Sequence, residues 1–478
     1  MIVAGLDVGT TSVKGLALDT ESGAVVASAE DGYPFATPRP GWTEQDPELW
    51  WRASERVLDG LRRDAGELGG IGLSGQMHGL VALDRHGEVL RPALLWNDQR
   101  TAAETAEIEE RLGGIEGTVA ATGNRALTGL TAPKLLWMAH HEPQLHARVN
   151  TVMLPKDYVR LRLGAGRATD VTDASGTLWF DVAARAWSGE VLAALDVDPA
   201  WLPPALESEA PSGHTTAGGV PVAAGAGDQA AGALGVGVLG PGPASVVLGT
   251  SGVVFGALPS YAADARGRVQ ASCHATRGGW FAMGVILSAA GSLRWLRDAT
   301  GGASFDELLA EAERWPPGVE GLTFLPYLTG ERTPHADPDA RGAFVGLSIR
   351  HDRGALVRAV LEGVAFGLRD ALDLVAELGG PLRVGRASGG GARSDLWLRI
   401  VASVLELPLE RVAVEEGAAY GAALLGGVAG GAWGSAEDAV AACVRVRDTV
   451  DPVAEWVEPY AEARERFRAL YPALRALR

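Results

Sequence analysis

Residues 2–8 read with the period of two that marks a half-buried strand. A Gly-Thr-Thr-Ser turn (9–12) follows, and "VKGLALD" (13–19) returns as a second strand, so the first 19 residues predict a hairpin. "GAVVASAE" (23–30) predicts a third strand after a Ser-Gly turn. The period then lengthens. In "DPELWWRASERVLDGLRR" (46–63) the apolar residues recur at helical spacing, with Asp46 as N-cap and Pro47 as the first helical residue. "GIGLSG" (70–75) predicts a short buried strand. Three strands, a helix and a further strand imply a mixed sheet with helices packed on it.

The second half of the chain repeats this plan. "ASVVLGTSGVVFGAL" (244–258) predicts a hairpin and "GWFAMGVI" (279–286) a further strand. Helices are expected over 288–300 and over 352–380, the latter with Asp352 as N-cap and Gly379 at its end. Residues 382–407 predict strand, glycine turn and helix. The Gly/Pro-rich stretch "VGVLGPGPAS" (236–245) separates the halves, giving expected domains 1–240 and 241–478. The pattern is a duplication at domain scale rather than a short-period repeat.

Composition narrows the function. At 478 residues the chain exceeds one ordinary core, and 47% hydrophobic with 21% charged residues is the balance of a soluble globular protein. A net charge of -17 argues against nucleic acid and against an anionic membrane surface as partners. "MIVAGLDVG" carries no basic region ahead of an apolar run, and nothing approaches the roughly 20 apolar residues of a membrane span. Cys273 and Cys443 are the only cysteines, without metal-ligand spacing or a disulfide framework, so a reducing cytoplasm is expected. Of 42 basic residues only Lys14, Lys134 and Lys156 are lysines. A lysine kept in so arginine-rich a chain suggests a place where a compact ammonium is needed.

The two hairpin turns carry the chemistry. "GLDVGTTSVKG" (5–15) and "VVLGTSGVVFG" (246–256) both place Gly-Thr and a small hydroxyl between apolar strands. Such a turn offers backbone N–H groups and hydroxyls with little bulk, which suits close approach to a phosphate. Asp7 beside the first turn would need a cation between itself and a phosphate, and magnesium is the natural one. Lys14 can neutralise phosphate charge. "ASGGGARSD" (387–395) is a glycine turn opening a helix, able to admit a flat base and aim N–H groups at phosphate. Asp228 in "GAGDQAAG" lies among glycines and alanines before an apolar helix. It reads as an N-cap, as a base that takes a hydroxyl proton during phosphoryl transfer, or as both.

A Gly-x-Asp-x-Gly-Thr hairpin followed by a second Gly-Thr hairpin resembles the actin–hexokinase–chaperone ATPase superfamily. The resemblance implies an α/β fold of two ribonuclease-H-like domains, mixed sheets flanked by helices, with ATP bound in an interdomain cleft. "TAPKLLWMAHHE" (131–142) and "GAFVGLSIRHDRGALVRAVLEG" (342–363) are similar to the two signature regions of the FGGY carbohydrate kinases. "WTEQDPELWW" (42–51), "GLSGQMHGLVALD" (72–84), "RPALLWNDQR" (91–100), "LPKDYVRLRL" (154–163), "TDASGTLWFDV" (172–182) and "FLPYLTGERTPH" (324–335) narrow it to a branch acting on a pentulose.

That resemblance implies ATP and Mg2+ as cofactors and a set of site residues. Asp228 is the implied base. Asp7, Thr10, Thr11, Ser12, Lys14, Thr250, Ser251 and Gly252 are the implied phosphate and metal elements, with Asp7 on the metal. Gly390, Gly391 and Ser394 form the nucleotide-side turn. Gln76, Met77, His78, Trp96, Asn97 and Asp98 face the sugar, although a packed Trp followed by a turn-forming Asn-Asp explains the last three equally well. Ala226 and Gln229 depart from the family's usual residues beside Asp228. A homodimer is expected. Kinases of ribulose, glycerol or gluconate share the machinery, and a nucleotide-switched protein without a sugar shares the scaffold.

Overall fold

The structure is a computed structural model and describes residues 1–414 and 417–477. The chain forms two compact units. The first comprises Met1–Leu239, Pro259–Phe281 and Glu416–Val444, the second Gly240–Leu258, Ala282–Glu415 and Arg445–Arg478. The first change of unit, at Leu239–Gly240, falls within the Gly/Pro-rich stretch. Two segments from the second half of the chain belong to the first unit, so neither unit is one stretch of sequence. Among the described residues no helix is long and apolar enough to cross a membrane.

The first unit is built on a mixed sheet. Its strands are β1 (Ile2–Val8), β2 (Ser12–Asp19), β3 (Val25–Gly32), β4 (Ile71–Gly75), β5 (Pro211–His214), β6 (Pro221–Ala223) and β7 (Ala226–Gly227). The order is β5-β6-β4-β1-β2-β3, with β7 also paired to β4. β1 and β2 form the expected hairpin, Asp7 opposite Lys14. Helix α1 (Pro47–Ala65) begins as expected, the Asp46 carboxylate accepting the Glu48 N–H. Its Ala53, Val57, Leu58 and Leu61 share one buried cluster with Leu6, Val13 and Leu73 of the sheet. The apolar stripe of the helix thus meets the alternating face of the strands.

β4 is the central strand. β1 runs parallel on one side, with Asp7 beside Ser74. β7 runs parallel on the other, with Ala226 beside Ser74 and Gly227 beside Gly75. All three strands therefore end at the same edge. Between the Ile71–Val222 and Ser74–Ala226 pairs, β4 advances three residues and the partner segment four. The extra residue is absorbed at Gly225, whose φ of 79° only glycine adopts freely and whose added Cβ would lie 2.1 Å from the Leu73 carbonyl oxygen. This bulge sets the direction in which the chain leaves β7 and enters helix α4 (Asp228–Gly235).

The sheet's second covering helix comes from far along the chain. Gly417–Ala429, "GAAYGAALLGGVA", packs backbone to backbone against β1, β4 and α4. A Cβ on Gly72 would stand 1.7 Å from the Ala422 carbonyl oxygen, and one on Gly5 2.0 Å from that of Ala419. A Cβ on Gly421 would stand 1.9 Å from the Ala231 oxygen of α4. Glycine is required at these positions by close approach rather than by backbone angle.

The second unit repeats the hairpin-on-sheet plan. Its strands are β8 (Pro243–Leu248), β9 (Gly252–Leu258), β10 (Trp280–Ile286), β11 (Val384–Ser388), β12 (Leu409–Val412) and β13 (Val446–Val450), in the order β10-β9-β8-β11-β12-β13. The long helix α5 (Arg353–Gly379) starts with the Asp352 carboxylate accepting the Ala355 N–H and ends before Gly380 at φ 83°. β8 and β11 are parallel, Val247 beside Ser388. The turn after β8 and the glycine turn after β11 consequently leave the same edge. Helix α6 (Asp395–Leu405) follows that glycine turn.

Gly72→Ala is expected to destabilise the protein by roughly 3 kcal/mol, the cost of forcing a methyl into a packed backbone contact. Gly189→Ala, where an added Cβ meets nothing within 4 Å, should stay within about 0.5 kcal/mol of the parent. Urea or thermal unfolding of the pair measures both.

Candidate active site

The first turn is held from behind. The Gly9 carbonyl accepts the Tyr33 hydroxyl at 2.7 Å and the Gln76 side-chain N–H at 3.2 Å. The Thr10 carbonyl accepts Gln45 Nε2 at 3.0 Å. The Thr10 hydroxyl donates to Gln76 Oε1 at 3.1 Å and accepts from the Trp96 indole N–H at 3.0 Å. Gln45 is itself fixed by the Trp50 indole, which donates to Oε1 at 2.6 Å. These bonds tie the carbonyls of the turn to the body of the unit, and the Gly9 N–H is shared between the Asp7 and Ser12 carbonyls. Thr11 and Lys14 are exposed at this turn, and the Ser12 hydroxyl donates to Glu30 at 2.7 Å.

The second turn is braced in the same way within its own unit. The Thr250 carbonyl accepts the Ala289 and Gly291 N–H groups, and the Gly249 carbonyl accepts that of Ala290. These donors open the helix Ala290–Ala299. The Ser251 hydroxyl donates to the Leu287 carbonyl at 3.2 Å, and the Leu287 N–H donates to the buried Glu331 carboxyl at 2.9 Å. Burial pushes the Glu331 carboxyl up to about 8, against the pull of two backbone N–H donors and Arg332. Thr250 is exposed, while Gly252 serves packing, since a Cβ there would meet Ile286 at 2.7 Å. In the neighbouring glycine turn an added Cβ on Gly390 would meet nothing within 4 Å, while one on Gly391 would strike Leu248 and Trp397. The Ser394 hydroxyl caps α6 by accepting the Trp397 N–H at 3.2 Å.

Asp7 and Asp228 both stand at the strand-end edge of the first unit. Asp7 is half-buried at the end of β1 and accepts the Ser74 hydroxyl at 3.0 Å. Burial raises its carboxyl above the ordinary range, with Ser74 and Lys14 pulling the other way. Asp228 follows β7. The N-cap of α4 is Gly227 and not Asp228, which is the first helical residue. Its carboxyl is pushed up to about 7, first by burial and then by the charge of Asp7, with Gln229 opposing. A carboxylate of this kind can accept a proton at neutral pH, as a general base must.

The other expected site residues divide into two groups. Met77 lies over Gly227, where an added Cβ would come within 2.8 Å of its sulfur. His78 lies against Gly176, whose added Cβ would stand 2.3 Å from the imidazole. Met77 is therefore placed next to the residue that precedes Asp228. His78 has φ 69°, and its carbonyl accepts Lys134 Nζ at 2.7 Å and the Thr131 hydroxyl at 3.2 Å. Lys134 is wholly buried and also donates to the Gly129 carbonyl, and burial pulls its ammonium down to about 7. Asn97 is half-buried, and its Oδ1 is buried without a hydrogen-bond partner among the described residues.

Gln76, Trp96 and Asp98, expected to face the sugar, each have partners within the protein. Gln76 is 2% exposed and its amide is spent on the first turn. The Trp96 N–H goes to Thr10. Asp98 is fully buried, accepting the Thr43 N–H at 2.7 Å and the Arg100 guanidinium at 2.8 Å. Arg100 also pairs with Glu44 and lies 3.7 Å above the Trp42 ring. Asp98 anchors its loop through that arginine. The bracing residues Gln45, Tyr33 and Ser74 carried no local signal, because each acts on a turn far away in sequence.

Comparison with known proteins decides the family. Residues 2–235 match the N-terminal domain of the FGGY family of carbohydrate kinases, and residues 244–430 match its C-terminal domain. The chain belongs to the FGGY family of carbohydrate kinases. It is an ATP-dependent sugar kinase with the actin/hexokinase-like fold. Among FGGY relatives it is similar to the xylulose kinase of Escherichia coli (strain K12), 40% identical over 98% of both chains. It is also similar to that of Klebsiella pneumoniae, 42% identical over 89% of both. The crystal structure of a xyloylose kinase from Brucella ovis aligns over 100% of both chains at 41% identity and a TM-score of 0.93.

With Asp228 needed as a carboxylate, kcat/KM for the sugar should rise about tenfold per pH unit on the acid side and level off above a midpoint near 7. Initial rates between pH 5.5 and 8.5 check this; a flat profile would remove Asp228 from the role.

Proposed function

We propose that this kinase transfers the γ-phosphoryl of ATP to D-xylulose, giving D-xylulose 5-phosphate and ADP. The near-full-length similarity to xylulose kinases supports the sugar. What supports the mechanism is one observation: a carboxyl pushed up to about 7, Asp228, directly after the Gly227 on which Met77 packs, at the strand ends of the first unit. Met77 and His78 present an apolar surface and an imidazole to a small ketose. Asp228 accepts the C5 hydroxyl proton as that oxygen attacks the γ-phosphorus, the bond to the β-bridging oxygen breaks, and ADP leaves. The proton then passes from Asp228 to water.

The Gly-Thr turns bind phosphate through Thr10, Thr11, Ser12, Thr250 and Ser251, with Lys14 adding charge. The Gly390–Gly391 turn, with α6 capped by Ser394, receives the nucleotide. A divalent metal, magnesium in this reading, fits Asp7. Among the described residues no group of three or more His, Cys, Asp or Glu forms a metal cage. A single carboxylate completed by phosphate oxygens and water is how magnesium is commonly held. When bound it supplies charge neutralisation to the phosphates. A homodimer is the assembly expected, two-fold dimers being the commonest oligomer. The cytoplasm, where ATP is abundant, is the compartment expected.

ADP release with ATP and magnesium, measured over D-xylulose, D-ribulose, L-ribulose, glycerol, gluconate and no sugar, tests the substrate. D-Xylulose is expected to give the highest kcat/KM. Preference for another acceptor would reassign the sugar, and turnover indifferent to every sugar would sink the reading.

A further inference from the structure

Beneath the strand ends of the first unit lies a cluster of buried charges that the mechanism so far leaves unused. Lys156 and Arg160, on helix α3 (Pro155–Arg162), and Asp157, Asp170 and Asp173 all have fully buried side chains. Lys156 Nζ lies 2.8 Å from Asp157, 2.7 Å from Asp170 and 3.1 Å from Asp173. Only the Asp157 contact has hydrogen-bond geometry, so the other two are ion contacts. Three carboxylates face two cations, and burial pushes the Asp173 carboxyl above its ordinary range, so the cluster can keep a proton and stay neutral. Buried charges are costly unless paired, and this cluster has one exit that touches the active site.

The exit runs through Thr172. Asp170 Oδ2 accepts the Thr172 hydroxyl at 2.6 Å, the Thr172 N–H at 2.8 Å and the Ser208 hydroxyl at 3.1 Å. The Thr172 hydroxyl in turn accepts the Gly227 N–H at 2.9 Å. Gly227 immediately precedes Asp228 and lies under Met77. Arg160 reinforces the same stretch by donating to the Ala224 carbonyl. The segment continues to Gly176, which His78 packs against. One short run of chain, 170–176, therefore holds the backbone before Asp228 and supports His78.

We propose that Thr172 is a positioning residue for phosphoryl transfer: its hydroxyl, oriented by the Lys156–Asp170 pair, tethers the Gly227 N–H and so fixes where Asp228 meets the sugar hydroxyl. The Gly227 N–H can only donate, so the Thr172 oxygen accepts it with a lone pair and the Thr172 proton is left to go to Asp170 Oδ2. Thr172 touches no reacting atom and acts through Asp228. The proposal rests on the assignment of Asp228 as base.

The test compares Thr172→Val, Thr172→Ser, Ser208→Ala and Asp228→Asn in steady-state kinetics with ATP and D-xylulose, with thermal unfolding of each. Thr172→Val keeps shape and loses the tether; kcat should fall roughly 10- to 100-fold, the cost of a slightly misplaced base, with KM for ATP within twofold. Thr172→Ser should restore kcat to within about threefold, because it keeps the hydroxyl. Ser208→Ala removes a donor from the same Asp170 oxygen without touching Gly227, and kcat should hold within about twofold. Equal kcat losses in Thr172→Val and Ser208→Ala would overturn the tether, leaving only a contribution to stability. Parental kcat in Thr172→Val with an inactive Asp228→Asn would overturn the tether and spare the base; full activity of Asp228→Asn would overturn both.

Discussion

The parallel register of three strand ends fixes everything else in the first unit's site. Asp7, Ser74 and Ala226 stand side by side because β4 pairs with β1 on one flank and β7 on the other. One residue of slip in either pairing would turn every side chain of that strand to the opposite face. The register delivers the first turn, the loop carrying Met77 and His78, and Asp228 to one edge of the sheet. It also brings Asp7 close enough for its charge to add to burial in raising the Asp228 carboxyl.

Two kinds of close contact hold that register. The helix Gly417–Ala429 lies on β1, β4 and α4 with no side chain between the backbones at Gly5, Gly72 and Gly421. Contacts that tight leave little room for the sheet to slide or for α4 to tilt. Side-chain amides and a hydroxyl tie the carbonyls of the first Gly-Thr turn, and backbone N–H groups tie those of the second. The first turn uses Gln45, Gln76 and Tyr33, and the second uses a helix start and Glu331.

Local signals carried the hairpins and the helix starts, because each is decided within a few residues. Asp46 and Asp352 cap their helices as their positions imply. The glycine turn at 389–394 precedes a helix whose cap, Ser394, is visible in the sequence. What stayed hidden is long-range. Asp98 reads as a polar loop residue until Arg100 is seen folded back on it between Trp42 and Trp137. The bond of the Gln76 amide to a turn 66 residues earlier has no local cue either. Lys156 meets three aspartates, two of them in a separate segment, and no spacing rule predicts such a cluster. A helix drawn from 417–429 into the first unit has no local cue except its glycines, which mark close approach without naming the partner.

The account turns on Asp228 acting in the chemical step rather than in binding. The decisive measurement pairs calorimetric titration of D-xylulose into Asp228→Asn with the single-turnover rate of phosphoryl transfer by the same variant at pH 8. The account predicts sugar affinity within a few-fold of the parent and a transfer rate lower by about 10²- to 10⁴-fold, the usual contribution of a general base. Transfer at the parental rate would contradict it, and so would a loss confined to sugar affinity.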